Sequence, residues 1–164
     1  MSFKLIFFYV FLGILAGCGG GPNTRQDRHE KISFQIPNEW EVARGSSETR
    51  FRPSAAGPFQ AEIQVSTQLL EEPRDLERGM AVALDFQRKQ EQAILKSETI
   101  TMHGLSGVEY VHEMQTGQGA SIRHQVHLQG PDFLITTYLL TQEADYRDYL
   151  PLYTEVLKSI RVLK

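Results

Sequence analysis

Cys18 is the only cysteine in this 164-residue chain. No disulfide can therefore form within it, and no cysteine pair can hold zinc or run CxxC redox chemistry. Whatever fold the chain adopts has to rest on apolar burial. The residues after Cys18 are enough for one domain with a real core. The formal charge is −3, from 17 basic and 20 acidic residues. Arg25, Arg28, His29 and Lys31 cluster loosely, but Asp27 and Glu30 interrupt them. Sequence-independent nucleic-acid binding needs a surplus of phosphate-neutralising charge, so no nucleic-acid partner is expected. A polybasic membrane patch is unsupported on the same ground.

The position of Cys18 carries more information than its solitude. Lys4 lies in a short polar start, an apolar run follows from Leu5 to Leu15, and the small residues Ala16 and Gly17 precede the cysteine. This is the three-part layout of an export signal. Gly19-Gly20-Gly21-Pro22 stops the run short of the roughly 20 apolar residues that a spanning helix needs, which disfavours a transmembrane helix. An ordinary cleaved signal with an incidental cysteine is the other alternative. The segment Leu15-Ala16-Gly17-Cys18 resembles the lipobox of bacterial lipoproteins. That resemblance implies cleavage between Gly17 and Cys18, with covalent diacylglyceryl and N-acyl lipid on Cys18, whose sulfur supplies the soft nucleophile. More than one acyl chain is needed for stable anchoring, so the protein would be held on a membrane, outside the cytoplasm, without spanning it. Gly19 after the cysteine implies the outer membrane, facing the periplasm, in an organism with two membranes. Residues 18–30 contain no hydrophobe after Cys18 and read as a lipidated flexible tether; residues 31–164 read as a single globular domain.

Within the domain, Ile32, Phe34 and Ile36 alternate with polar residues, as a half-buried strand does. Residues 40–44 and 49–52 read as further strands. Ala61, Ile63, Val65 and Thr67 form a clean alternating strand with one wet face. Asp75 is a plausible N-cap for a helix running to about residue 93, with Leu76, Met80, Ala83 and Leu84 at helical spacing and Val82 and Phe86 widening the apolar face. Residues 97–102, 107–115, 120–129 and 133–141 then read as a strand meander. Tyr146, Tyr149, Leu150, Tyr153, Val156, Leu157 and Ile160 mark an amphipathic C-terminal helix. Because proline lacks the helical N–H, this helix is expected to become regular near Pro151, after a looser turn at 145–150. Trp40 and the Tyr149–Tyr153 cluster read as packing.

The meander invites a register. A three-residue loop Gly117-Gln118-Gly119, with glycine supplying positive φ, pairs His112 with His124, Tyr110 with Val126 and Val108 with Leu128. One face then becomes almost wholly apolar, and the other sets Glu113 opposite Arg123 and Glu109 opposite His127. In this register His112 faces His124 on the apolar side. If Gln129 pairs with Phe133, Tyr138 falls beside His124. Two imidazoles on adjacent strands could chelate a metal with a third ligand or line a small-ligand pocket. They could equally be hydrogen-bonded core histidines, which is the commoner fate of half-buried imidazole. His103 and His127 are expected to be exposed. No catalytic motif is present. Gly104-Leu105-Ser106-Gly107 is one residue short of a nucleophile elbow, and His112-Glu113 lacks the second histidine of a zinc-protease helix.

The order of strands, central helix, strand meander and C-terminal helix, the opening Ile32-Ser-Phe-Gln-Ile-Pro37-Asn-Glu-Trp40 and the closing Tyr149-Leu-Pro-Leu-Tyr-Thr-Glu-Val-Leu-Lys-Ser-Ile160 together resemble the PsbP-like family, including bacterial lipoproteins of the DcrB type. The resemblance spans about residues 30–162. It implies an α+β fold, an α/β/α sandwich with a central antiparallel sheet flanked by helices. Family members are mostly non-enzymatic, with no shared catalytic motif or cofactor. The expectation is a membrane-anchored, non-catalytic binding or assembly module for an envelope protein partner. A small-ligand or metal carrier using the His112/His124 face is the alternative, and an unrecognised hydrolase the second alternative.

Overall fold

Alternating apolar residues build most of the molecule. In the computed structural model, which describes residues 24–54, 61–90, 92–117 and 119–163, they form ten strands and two helices in the order β1 (Thr24–Arg28), β2 (Ile32–Pro37), β3 (Trp40–Arg44), β4 (Glu48–Pro53), β5 (Ala61–Leu69), α1 (Leu76–Lys89), β6 (Ile94–Met102), β7 (Leu105–Thr116), β8 (Gly119–Gln129), β9 (Phe133–Gln142), α2 (Tyr146–Ser159) and β10 (Arg161–Val162). Strands β3-β4-β5-β9-β8-β7-β6 make a seven-stranded antiparallel sheet, and β1-β2-β10 a second sheet of three. Cys18 and the expected cleavage site at Gly17 lie outside the described residues.

The core lies between the large sheet on one side and α2 with the small sheet on the other. Phe51, Ile63, Val65, Val126, Leu128, Ile135 and Leu139 of the large sheet meet Tyr153, Val156, Leu157 and Ile160 from above, while Ile32, Phe34 and Ile36 close the end. Each fully buried side chain of this kind contributes about 1.5–3 kcal/mol. Trp40 packs edge-on against Phe51 and Tyr149, as the packing reading expected. Helix α1 packs on β6 and β7, held by Glu77 to Thr99 and Gln87 to His112. His112 is directly opposite Arg123, whereas His124, which touches α2, is opposite Val111. Opposed residues share a face, so α1 and α2 lie on opposite faces of the large sheet. This is the expected α/β/α sandwich, with the small sheet as an addition.

Several boundaries differ from those read along the chain. Residues 24–29, expected to belong to a tether, are part of the fold instead, because Thr24–Arg28 pair with β2 and His29 is buried. Polar strand residues suffice there, since backbone pairing rather than apolar burial holds an edge strand. Helix α1 starts on Asp75, whose side chain accepts from the Arg78 N–H, but ends at Lys89, short of residue 93. Only Leu84 and Gln87 of α1 are buried, and Val82 and Phe86 are outside the core. Helix α2 begins at Tyr146 and carries Pro151 inside it. A single lost N–H bond of this kind is outweighed by the burial of the helix's apolar face.

The largest correction is register. Ladder β7–β8 closes at Thr116↔Gly119, not Thr116↔Ala120, and pairs His112 with Arg123 and Glu109 with Val126. Ladder β8–β9 is likewise displaced by one, pairing Gln129 with Leu134 and Gln125 with Tyr138. The pairing argument assumed one dry and one wet face. Here helices cover both, so each face accepts a mixture of apolar and hydrogen-bonded polar residues. The hairpin β6–β7 is also tighter than expected. Only His103 and Gly104 join Met102 to Leu105, both at positive φ (55° and 75°), the requirement of a type I′ turn.

Candidate functional site: two histidine networks on opposite faces of the sheet

The one-residue shift separates the residues that sequence reasoning had grouped. His112 and Tyr138 remain on the α1 face, and His124 faces α2. The two imidazoles cannot share a ligand through a sheet. On the α1 face, Arg123 sits between the other two, directly opposite His112 and with its guanidinium 4.6 Å from the Tyr138 ring centre. A fixed cation there opposes metal binding at His112. Among the described residues no cluster of three His, Cys, Asp or Glu side chains has metal-binding geometry.

The α2 face carries a linear relay. The His124 Nε2–H donates to Glu109 Oε1 at 2.7 Å, and the Tyr146 hydroxyl donates to His124 Nδ1 at 3.0 Å. Lys96 reaches the other oxygen of Glu109 at 2.9 Å and also Glu98 at 2.8 Å, offsetting the like-charge pair Glu98↔Glu109 that the ladder creates. The hydrogen bond from His124, with Lys96 beside it, holds the Glu109 carboxyl down at about 2 despite its partial burial. Carboxylate, imidazole and hydroxyl in line have the outline of a nucleophilic triad. The hydroxyl, however, belongs to a phenol whose pKa is raised, mainly by burial and then by Glu109. It is held as a neutral donor. Tyr153 packs edge-on against the same imidazole and bonds Thr137 at 2.7 Å. The relay joins β7, β8 and α2 within an apolar layer.

The α1 face carries a stacked ladder. The Tyr110 ring stacks between His112, with centroids 6.0 Å apart, and His127, at 5.7 Å. With its amide oxygen turned toward Arg123, Gln125 accepts from the guanidinium Nε at 2.6 Å and donates to the Tyr110 hydroxyl. Tyr110 then donates to His127 Nε2 at 3.4 Å, and His127 Nδ1–H to Thr136 at 3.0 Å. The Tyr138 hydroxyl donates to Glu62 at 2.8 Å. Burial, reinforced by Arg123, pushes both His112 and His127 down to about 4. His112 accepts from Gln87 at 3.3 Å, leaving His112 Nδ1 and Gln87 Oε1 buried without a hydrogen-bond partner among the described residues. Such atoms are costly, and the seat of α1 is correspondingly weak.

Of the two histidines expected to be exposed, His103 is and His127 is not. His127 is half-buried in the ladder, and His103 donates from its turn to the Leu157 carbonyl at 2.8 Å, tying the β6–β7 hairpin to the end of α2. Sequence reasoning set Glu109 against His127 rather than His124, and missed Tyr146 and Gln87 as histidine partners. Tyr146 was visible only as one position of an amphipathic stripe, and no local signal links it to His124. An open concavity lies elsewhere among the described residues. A groove of about 700 Å³ runs between the small sheet and α2, lined by Thr24, Gln26, Phe34, Leu152, Glu155 and Lys158 among others.

No family model and no curated protein matches the chain. Solved structures do. The cyanobacterial PsbP protein (CyanoP) of Synechocystis superposes with a TM-score of 0.65 at 16% identity, covering 92% of this chain and 100% of that one. A Pseudomonas aeruginosa protein of unknown function matches with a TM-score of 0.59 at 21% identity over 84% and 95% of the two chains. LpqN of Mycobacterium tuberculosis, described as involved in cell envelope biogenesis, matches with a TM-score of 0.57 at 12% identity over 86% and 91%. At such identities the likeness concerns the fold. Antiparallel sheets with two helices, in this arrangement, make the chain an α+β protein with a PsbP-like fold.

Proposed function

We propose that this protein is a lipid-anchored, extracytoplasmic, non-catalytic module that binds or assembles a protein partner in the cell envelope. One observation carries the reading. Every histidine considered for chemistry is engaged in the architecture, bonding strand to strand or strand to helix. The neutral phenol of Tyr146 is a donor to His124 and a poor nucleophile. The likeness in fold to an envelope-biogenesis protein supports the compartment. The anchor rests on Leu15-Ala16-Gly17-Cys18. Strand β1 starts at Thr24, six residues on from Cys18, so the domain would sit within about 20 Å of the lipid attachment. Anchoring would raise the effective concentration toward a membrane partner.

The test is fractionation of wild-type and Cys18→Ser chains with mass spectrometry of the mature amino terminus, followed by affinity capture from solubilised envelopes. The wild type should pellet with membranes, start at an acylated Cys18 and retain a reproducible partner. The Cys18→Ser chain should be soluble or unprocessed. A Cys18→Ser chain that still pellets and matures normally would sink the anchor, and turnover of a hydrolase substrate panel abolished by Glu109→Gln would sink the non-catalytic reading.

A further inference from the structure

Helix α1 is amphipathic toward the sheet, yet it carries a second ordered stripe on the opposite side. Leu84 and Gln87 are buried against the sheet, and Glu77 bonds Thr99. At 3.6 residues per turn, Asp75, Arg78, Gly79, Val82, Asp85, Phe86 and Lys89 fall together on the outward side. They recur at heptad spacing, 75, 78/79, 82, 85/86, 89. The middle of this stripe is apolar and open, with Val82 65% and Phe86 62% exposed. Its amino-terminal end carries the N-cap carboxylate of Asp75, and its carboxy-terminal end carries Lys89, which bonds Asp85 of its own helix at 2.7 Å. Gly79 is a notch, since a Cβ built there meets nothing within 4 Å.

We propose that this outward face of α1 is a self-association surface, on which a second copy of the chain packs its own α1 antiparallel about a two-fold axis. The charge pattern selects that arrangement. A parallel pair would oppose Asp75 to Asp75 and Lys89 to Lys89. An antiparallel pair centred between Val82 and Ala83 sets Lys89 within about 1.5 Å, along the helix axis, of the partner copy's Asp75, and Arg78 within about 3 Å of its Asp85, at 1.5 Å rise per residue. The same alignment levels Phe86 with the notch at Gly79, so that an exposed ring fills a gap that no side chain of its own copy fills. An interface built from one self-complementary patch is the isologous contact of two-fold dimers. A lipid surface is a poorer occupant, because Asp85 sits in the middle of the stripe and would have to be buried against headgroups. A single helix pair buries less than a standard interface, so the association is weak in dilute solution.

The experiment is sedimentation equilibrium of the full chain in density-matched detergent up to about 0.5 mM, with oxidative crosslinking of a Val82→Cys chain and of a Glu77→Cys chain against the parent. Concentration-dependent dimers are expected, with a disulfide-linked dimer through Val82→Cys and none beyond the parent's background through Glu77→Cys. Phe86→Glu and Arg78→Glu should each weaken dimerisation about tenfold or more. The double swap Arg78→Glu/Asp85→Lys should regain at least about threefold of that loss, because the cross-copy pair is re-formed with its signs reversed while the internal Lys89–Asp85 bond is given up. All of these side chains are exposed, and circular dichroism should be unchanged. A chain that stays monomeric overturns the proposal. So does a dimer indifferent to Phe86→Glu and to the charge swap, or loss of binding to anionic vesicles on Phe86→Glu with association unaltered.

Discussion

Glu109, His112 and His127 set successive acid limits on the domain. His112 and His127 are native in their neutral forms, with pKa values near 4 against an ordinary 6.5. The unfolded chain therefore takes up protons first as pH falls, and stability present above about 6.5 is lost progressively down to about 4. For His112, 3% exposed, the loss amounts to about 3 kcal/mol. Glu109 adds a second loss in the same direction, at lower pH. Its carboxyl is held at about 2, so its contribution is present above the ordinary carboxylate range and disappears only as pH falls from about 4.5 through about 2. Urea unfolding measured between pH 7.5 and 2.5 should show these two windows. The double variant Gln87→Leu/His112→Phe should make the upper one about half as steep, His127 remaining, and raise stability at pH 5 by about 2 kcal/mol, because it removes one of the two titrating imidazoles and two unpartnered buried atoms together. An unchanged slope between pH 6.5 and 4 would show that these imidazoles are solvated.

At the scale of elements, two glycines fix the meander. A Cβ on Gly107 would stand 2.3 Å from the His127 carbonyl oxygen, which is backbone and cannot swing away. Gly107→Ala is expected to force β7 and β8 apart at a cost of about 2–3 kcal/mol. Gly104 has open space around it but a φ of +75°, so Gly104→Ala should cost only about 1 kcal/mol, from backbone strain alone. Thermal melts of the two variants should keep that order; the reverse order would refute the close approach at Gly107. Much about these elements was legible. Ile32, Phe34 and Ile36 announced β2, Asp75 announced the start of α1, and the spacing of Tyr153, Val156, Leu157 and Ile160 announced α2. The pairing of β7 with β8 was not legible, because Tyr110 and His112 on one face and Glu109 and His124 on the other are all buried or half-buried. Alternation cannot choose a register when neither face is wet. The candidate site failed with it, since whether His112 faces His124 or Arg123 depends on a shift of one residue.

At the scale of the molecule, the short strand β1 joins the region expected to be a tether to both sheets. Arg25 donates to the Trp40 carbonyl at 2.9 Å, Asp27 accepts from Arg44 at 3.0 Å, and buried His29 bonds Thr49 at 3.0 Å. Removing residues 1–30 should cost about 3 kcal/mol more than removing residues 1–23, by stripping an edge strand and exposing the layer under His29. Equal melting temperatures for the two truncations would restore the longer tether. The sequence by itself determined that the chain has no covalent staple, that its core is built from alternating strands and one strongly amphipathic helix, and that a lipobox-like segment precedes it. These are properties of local composition and period, readable without partners. Tertiary structure alone decided where the domain begins, how β7 and β8 are registered and which side chains each histidine meets. Those depend on what covers each face of the large sheet. A face buried by a helix accepts hydrogen-bonded polar residues as readily as apolar ones, so the pattern along the strand no longer says which way it points.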